Sequence, residues 1–374
     1  MIFFARFKEK TPIERIKREL KNDPGKPAAL NYGEALLVRQ IRHAAAERNT
    51  NNVTRTKAYW DFYRLHPEIH WAFLGHMVSR NGGWNMTDLK GELLARLLSG
   101  KEKRSFFSFL ERGNWLIFQD VYPQMLLYHM SMQQGRPLFH LLPYLQVSCF
   151  MEVIWNDYWE YRNDELLAIA MVINEQSYLE KRVIQNPVYQ KEVFKTIEFK
   201  LQDIFSFNQI LFPYEETGGV QLAGQTLHQF GSLQERILLG KRLYAILLGD
   251  RGRLERFESW AQGHPHTGSR KDYWPQMYNN IHEGLPGKYQ LKLRACKLKP
   301  GARRIYSPAL ENAWKNASQP DAEEGDWYED WHVAEQLEPL HEPIQGEIMN
   351  EYCKTLERLE RAALAKKALS LREA

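Results

Sequence analysis

The chain has 374 residues, 44% hydrophobic and 26% charged, with a formal net charge of +4. That balance excludes a disordered chain and leaves an ordinary globular protein of one large or two smaller domains. Three distant cysteines, Cys149, Cys296 and Cys353, with no Cys-x-x-Cys, argue against a disulfide framework or a zinc ribbon and point to a reduced, cytoplasmic setting.

Residues 1–26 read as a basic lead-in with a short helix from Pro12 to Lys21, and MIFFARFKEK lacks the cleavage site of a secretory leader. An amphipathic helix is expected over 28–48, with Leu30, Leu37, Ile41 and Ala44 on one face. Thr54 suits the cap of a helix that ends at His66-Pro67, where the pre-proline residue leaves the α region. Pro67 suits the start of the next helix, which carries Ile69, Phe73 and Met77 and is expected to stop at Asn81-Gly82-Gly83. Thr87-Asp88 is the expected start of a third, with Leu89, Leu93, Leu94, Leu97 and Leu98 inward.

Gly100 to Arg104 reads as a charged connector. Helices follow at 106–119, from Pro123 to Gln134, over 138–160 with a division at Pro143, over 165–184 and over 188–211. Residues 212–226 read as a loop, then helices return at 233–248 and 252–261. Between 289 and 306 the period changes: Leu291, Leu293 and Ala295 alternate with Lys292 and Arg294, the pattern of a β-hairpin. A helix from Pro308, an acidic connector and a C-terminal helix near 345–372 complete the chain. The expected architecture is mainly α, a large orthogonal multi-helix bundle with one small β-hairpin. A helical domain spans 27–316, and an appendage of acidic connector and helix spans 317–374.

Charge is unevenly spread. From Lys288 to Arg304 there are seven basic residues and no acidic ones, and from Asn316 to Cys353 eleven acidic residues and no Lys or Arg. A basic ribbon carrying Lys292, Arg294, Lys297, Lys299, Arg303 and Arg304 could meet nucleic acid or an anionic membrane surface. The acidic connector is the internal rival for the same charges.

Four strings carry a resemblance: HPEIHWAFLGHMVSRNGGWNMTDLKG from His66, NWLIFQDVYPQMLLY from Asn114, INEQSYLEKRV from Ile173 and HTGSRKDYWP from His266. Together they resemble the YppC-like family of Bacillus-type bacteria over roughly residues 29–310. The resemblance implies a bacterial, cytoplasmic, helical protein and brings no activity, cofactor or catalytic residue with it.

No motif names a reaction. His66, His70 and His76 do not form a metal set, because six residues turn a helix by roughly 240°. A Walker loop and a Gly-x-Ser-x-Gly elbow are both lacking, and neither a metal nor a cofactor is expected. Glu175 and Glu180 near a helix end do not by themselves make an acid–base pair. The loop from His264 to Asp272 groups imidazoles, hydroxyls and cations suited to an anion, although Ser269-x-x-Asp272 also reads as a capping box. The leading expectation is a ligand-binding or scaffold protein whose polar pocket for an anionic group joins Arg80, Asn81, Trp84, His266, Ser269, Arg270 and Trp274. The alternative is an enzyme acting on a phosphorylated or anionic substrate, with His266 as acid or base and Asp272 orienting it.

Overall fold

Helical spacing of apolar residues builds most of the molecule. The computed structural model describes residues 11–22, 27–189, 207–283, 290–340 and 342–370, and these form a mainly α fold with short two-stranded sheets. α1 (Pro12–Lys21) and α2 (Tyr32–Arg48) open on capping boxes, Thr11 with Glu14 and Asn31 with Glu34. α3 (Asn52–Leu65) is capped by Asn51 rather than Thr54; Thr54 lies one turn in and closes the box. It ends at His66, as the following proline dictates.

The central helix is α4 (His70–Asp88), packed against α3 and most of the later core. It does not stop at Gly82-Gly83. A side chain added at Gly83 would run into Asn52 and His266, and one at Gly82 into Asn114. These glycines are spaces for close neighbours, and tertiary packing outweighs their weak helix propensity. Thr87 accordingly starts no helix; its hydroxyl bonds the Trp84 and Gly268 carbonyls inside the last turn of α4. Only α5 (Leu94–Leu97) follows before α6.

α6 (Gly100–Gln134) is one 35-residue helix, where the sequence reading has a connector and two helices. Ser99 and Glu102 form its capping box, and Pro123 sits buried within it. The proline removes one helical hydrogen bond, but burial on both sides of it keeps the chain helical. A 3-10 segment (Phe139–Leu145) containing Pro143 leads to α7 (Cys149–Tyr161) and α8 (Asp164–Leu179). α8 is continued by a π-helical turn, Glu180–Ile184.

Most of the helix expected over 188–211 falls outside the described residues, and its last residues are strand. β1 (Gln209–Glu216) and β2 (Gly219–Thr226) pair antiparallel from Gln209↔Thr226 to Glu216↔Gly219. This ribbon replaces the expected loop at 212–226. Pro213 can sit in it because a two-stranded ribbon leaves edge positions that need no N–H. The tight turn uses Gly218 and Gly219, both at positive φ.

α9 (Leu233–Leu248) and α10 (Arg251–Gly263) follow. β3 (Tyr278–Asn279) pairs in parallel with β6 (Ile305–Tyr306). The small hairpin expected near 289–306 is β4 (Leu293–Arg294) with β5 (Lys297–Leu298), turning at Ala295-Cys296, both at positive φ. α11 (Leu310–Ala313), a 3-10 segment (Trp331–Leu337) and α12 (Met349–Ser370) follow.

α12 corrects the cysteine reading. It folds back on the β4–β5 turn and brings Cys353 to Cys296, Cα to Cα 5.1 Å, in a disulfide; Cys149 is free. A separation of 57 residues in sequence carries no sign of that proximity. α12 also covers the basic hairpin: Glu360 accepts from the Lys292 and Leu293 N–H groups, and Glu357 from that of Ala295. Part of the acidic stretch packs elsewhere, against α8, where the Trp327 indole donates to Asn174. Among the described residues no helix is long and apolar enough to cross a membrane.

Candidate functional site

α4 and the loop after α10 bring several sequence-derived site residues together. Arg80 donates from Nε to His76 (3.0 Å) and from Nη2 to the His264 carbonyl (2.6 Å), over the Trp260 ring. The His266 ring lies between Asn52 Oδ1, 2.9 Å from Nε2, and Asp272, 3.3 Å from Nδ1. Asp272 also accepts from the Thr267 N–H and hydroxyl and from the Trp84 indole. Arg270 grips Asp88 at 2.8 and 3.1 Å and bonds Asn85 and Tyr273. Ser269 donates to the Ser307 carbonyl and caps the turn at Lys271, while Asp272 turns to Thr267 instead of closing a capping box.

Two members lie apart. Asn81 exchanges hydrogen bonds with the Leu211 backbone on β1, and Trp274 packs on Tyr352 of α12. Within the cluster, burial lowers the His266 pKa against the pull of Asp272, and burial pushes Arg80 down to about 10. The donors are largely taken by internal acceptors. Arg80 Nη1 and His266 Nδ1 lack a well-formed hydrogen bond among the described residues. The arrangement ties α3, α4 and the loop together, and none of its residues lines the two openings described next.

The three histidines of α3–α4 also go separate ways: His66 to Glu68 and His129, His70 to Tyr244, His76 to the Thr56 carbonyl. Among the described residues no group of three His, Cys, Asp or Glu side chains is arranged to hold a metal ion.

A cavity of about 230 Å³ lies between α3, α4, α6, α8, α9 and the start of the β1–β2 ribbon. Leu74, Val78, Val172, Leu239 and Leu243 give it apolar walls. Gly75 and Gly240 line it because the Trp71 ring and Val172 occupy the places where their side chains would be. Its polar groups are few and incompletely paired. Buried Trp155 and Trp327 donate their indole N–H to Gln124 and Asn174, and half-buried Trp314 to the Met86 carbonyl; those of Trp71 and Trp260 have no well-formed hydrogen bond among the described residues, the Trp71 indole lying against the Glu175 carboxyl. Arg55 donates to Glu111 (2.5 Å) and Asn49 (3.1 Å), and its Nε–H finds no acceptor among the described residues. Among the described residues Asn208 Oδ1 likewise lacks a donor. Glu175 accepts from Gln176 at 3.0 Å; burial pushes its carboxyl up to about 8, with nearby Asp120 adding to the shift and the Trp71 indole opposing it.

A wider groove, about 690 Å³, runs between α7 and the acidic stretch. Its polar groups largely satisfy one another: Arg182 donates to the Glu323 and Gly325 carbonyls and the Cys149 N–H to Asp326. Burial, with Asp326 adjacent, pushes the Cys149 thiol up to about 12, so it is a poor nucleophile.

Sequence reading passed over Arg55 and Trp71 and could do no more than note Glu175. The available signal was a carboxylate embedded in the apolar run of α8 after Leu166–Ile173, and an arginine one turn before Tyr59 in a helix of rings. A buried charge in such company calls for a partner.

Fold and cavity together define a mainly α-helical protein with an internal, largely apolar site. By sequence, the chain belongs to the family described as Protein of unknown function (DUF2515), which matches residues 47–355. It is 45% identical over 260 residues to the uncharacterized protein YppC of Bacillus subtilis (strain 168), covering 70% of this chain and 78% of that one. No solved structure matches it. The cavity and the polar cluster both fall within the matched span.

Proposed function

We propose that this protein binds a small, mostly apolar molecule in the cavity between α3, α4, α8 and α9. The observation that carries the reading is a cavity of about 230 Å³ with apolar walls. A cavity of about 150 Å³ takes benzene, so this one suits roughly nine non-hydrogen atoms. The test is thermal unfolding with rising 1-hexanol, a probe of that size. The native protein should gain stability in a saturable way, and Val78→Phe, which fills the cavity from α4, should abolish the gain. No saturable shift with any apolar probe of this size would refute the reading.

The polar cluster around His266 and Arg270 draws less support as an anion pocket or as an acid–base site, because Arg270 is committed to Asp88. A second reading, nucleic acid or an anionic membrane surface at the hairpin, is favoured by the exposure of Arg294, Lys297 and Arg303. Against it, Lys292 pairs with Glu92 and Arg304 with Glu283. A cytoplasmic setting belongs to the main reading, and in it Cys296 and Cys353 would be held as thiols.

A further inference from the structure

The charged groups along the cavity wall are not balanced one against another. Arg55 is turned to Glu111 and Asn49, and Arg236 on α9 to Glu180 and Gln176, so both cations have their partners. Glu175 on α8 has no such partner. The groups around its carboxyl are Gln176, the Trp71 indole and a second acid, Asp120, and among the described residues no Lys, Arg or His pairs with it. Asp120 is itself held by the amides of Asn174 and Gln124. Glu175 is only half-buried although it lies against the buried Trp71, and the space it opens on is the cavity that both line. A carboxyl bordering apolar space with no cation in reach is short of one positive charge.

We infer that the occupant is a primary amine with a short apolar tail, bound as its ammonium ion against the Glu175 carboxylate. The inference rests on the cavity reading above and narrows it. An anion would stand beside two acids with the wall's arginines already taken, and a hydrocarbon or an alcohol would leave Glu175 uncompensated. An ammonium group donates N–H to the carboxylate and leaves the pair neutral. Tyr59 and Trp71 line the same space, and aromatic ring faces attract cations. Leu74, Val78 and Val172 leave the rest of the occupant to be hydrocarbon. A metal ion needs several oxygen ligands, and Glu175 is the one acid among the residues lining the cavity.

Binding then moves a proton. Below about pH 8 Glu175 holds one. As the ammonium ion enters, the carboxyl O–H bond breaks, the proton passes to water, and the ammonium keeps its own N–H bonds beside the new carboxylate. An alkylammonium, like the lysine side chain, stays protonated to about pH 10. Affinity should therefore rise with pH up to about 8 and level off above it. The groups facing Glu175 are Tyr59 from α3, Trp71 from α4, Asp120 from α6 and its neighbour Gln176. Of these, Asp120 also ionises in this range and favours a cation in the same direction.

Isothermal titration of the full chain with hexylammonium and with 1-hexanol, at pH 6.5 and pH 9, separates the two levels. Hexylammonium affinity should rise at least tenfold from pH 6.5 to pH 9, and that of 1-hexanol should not. At pH 6.5, titrations in two buffers of different ionisation heat should show close to one proton released per hexylammonium bound and none per 1-hexanol. Glu175→Gln keeps the shape and removes the charge. It should abolish the proton release and weaken hexylammonium at pH 9 at least tenfold more than it changes 1-hexanol. If 1-hexanol binds and Val78→Phe blocks it, but hexylammonium binds no more tightly at pH 9 or releases no proton, the amine inference fails and the cavity reading stands. If hexylammonium binding survives Val78→Phe, the amine inference fails, because the cation then sits elsewhere. If neither probe binds, both fail.

Discussion

Replacing Glu175 by glutamine asks whether the cavity wall really holds an un-ionised acid. In the fold its carboxyl sits at about 8, against 4.5 as its ordinary value. The folded protein therefore keeps a proton that the unfolded chain releases. The stability this gives is fully present below about pH 4.5 and is lost as pH rises through 8. Each unit of separation is worth about 1.4 kcal/mol, so the native protein should lose roughly 2–3 kcal/mol between pH 5 and pH 7 through this group alone. The amide introduced by Glu175→Gln has the shape of the neutral acid and no proton to lose. Urea unfolding at pH 5, 6, 7 and 8 should thus show the two proteins close in stability at pH 5 and the variant pulling ahead as pH rises. Asp120, pushed up to about 7 by its own burial, contributes with the same sign in both proteins. Parallel stability curves for the two proteins would refute the reasoning, because they would mean that Glu175 is ionised and solvated in the native state.

Three other substitutions probe the frame. Gly83→Ala should destabilise by about 1–3 kcal/mol in chemical denaturation, by forcing apart Asn52 and His266; a neutral or stabilising effect would mean the glycine is simply a poor helix residue. Asp88→Ala strands the buried Arg270 guanidinium and should cost about 3–5 kcal/mol by the same measurement, whereas a loss under about 1 kcal/mol would place Arg270 in water. In the oxidised protein, Cys296→Ser opens a loop of 57 residues, which chain entropy values at about 4 kcal/mol. Thiol titration of the unfolded chain after air oxidation of the native protein should then find Cys149 alone; three thiols would remove the link.

Most helices were legible because their apolar periodicity and caps are local signals. The errors share a cause. Gly82-Gly83 and Pro123 are breakers by local propensity, but α4 and α6 are buried on several sides, and the neighbours decide. The β1–β2 ribbon was hidden by Pro213 and by the glycines that its turn requires. The polar residues of α4 and the 264–272 loop were recognisable by chemistry, and Arg80 and His266 do meet around Asp272. Their partners, Asn52, Asp88 and the Ser307 carbonyl, come from distant segments that no spacing could assign. The cavity was less visible still, because its walls come from α3, α4, α6, α8 and α9 together and no spacing along any one helix marks the gap between them.

The most direct test of the binding claim is methyl and indole NMR of the full chain during titration with 1-hexanol. The account predicts saturable shifts of the Val78, Val172, Leu239 and Leu243 methyl signals together with the Trp71 indole N–H, while the Cys149 groove stays unchanged. Shifts confined to that groove or to the basic hairpin, with the Trp71 N–H unmoved, would contradict it.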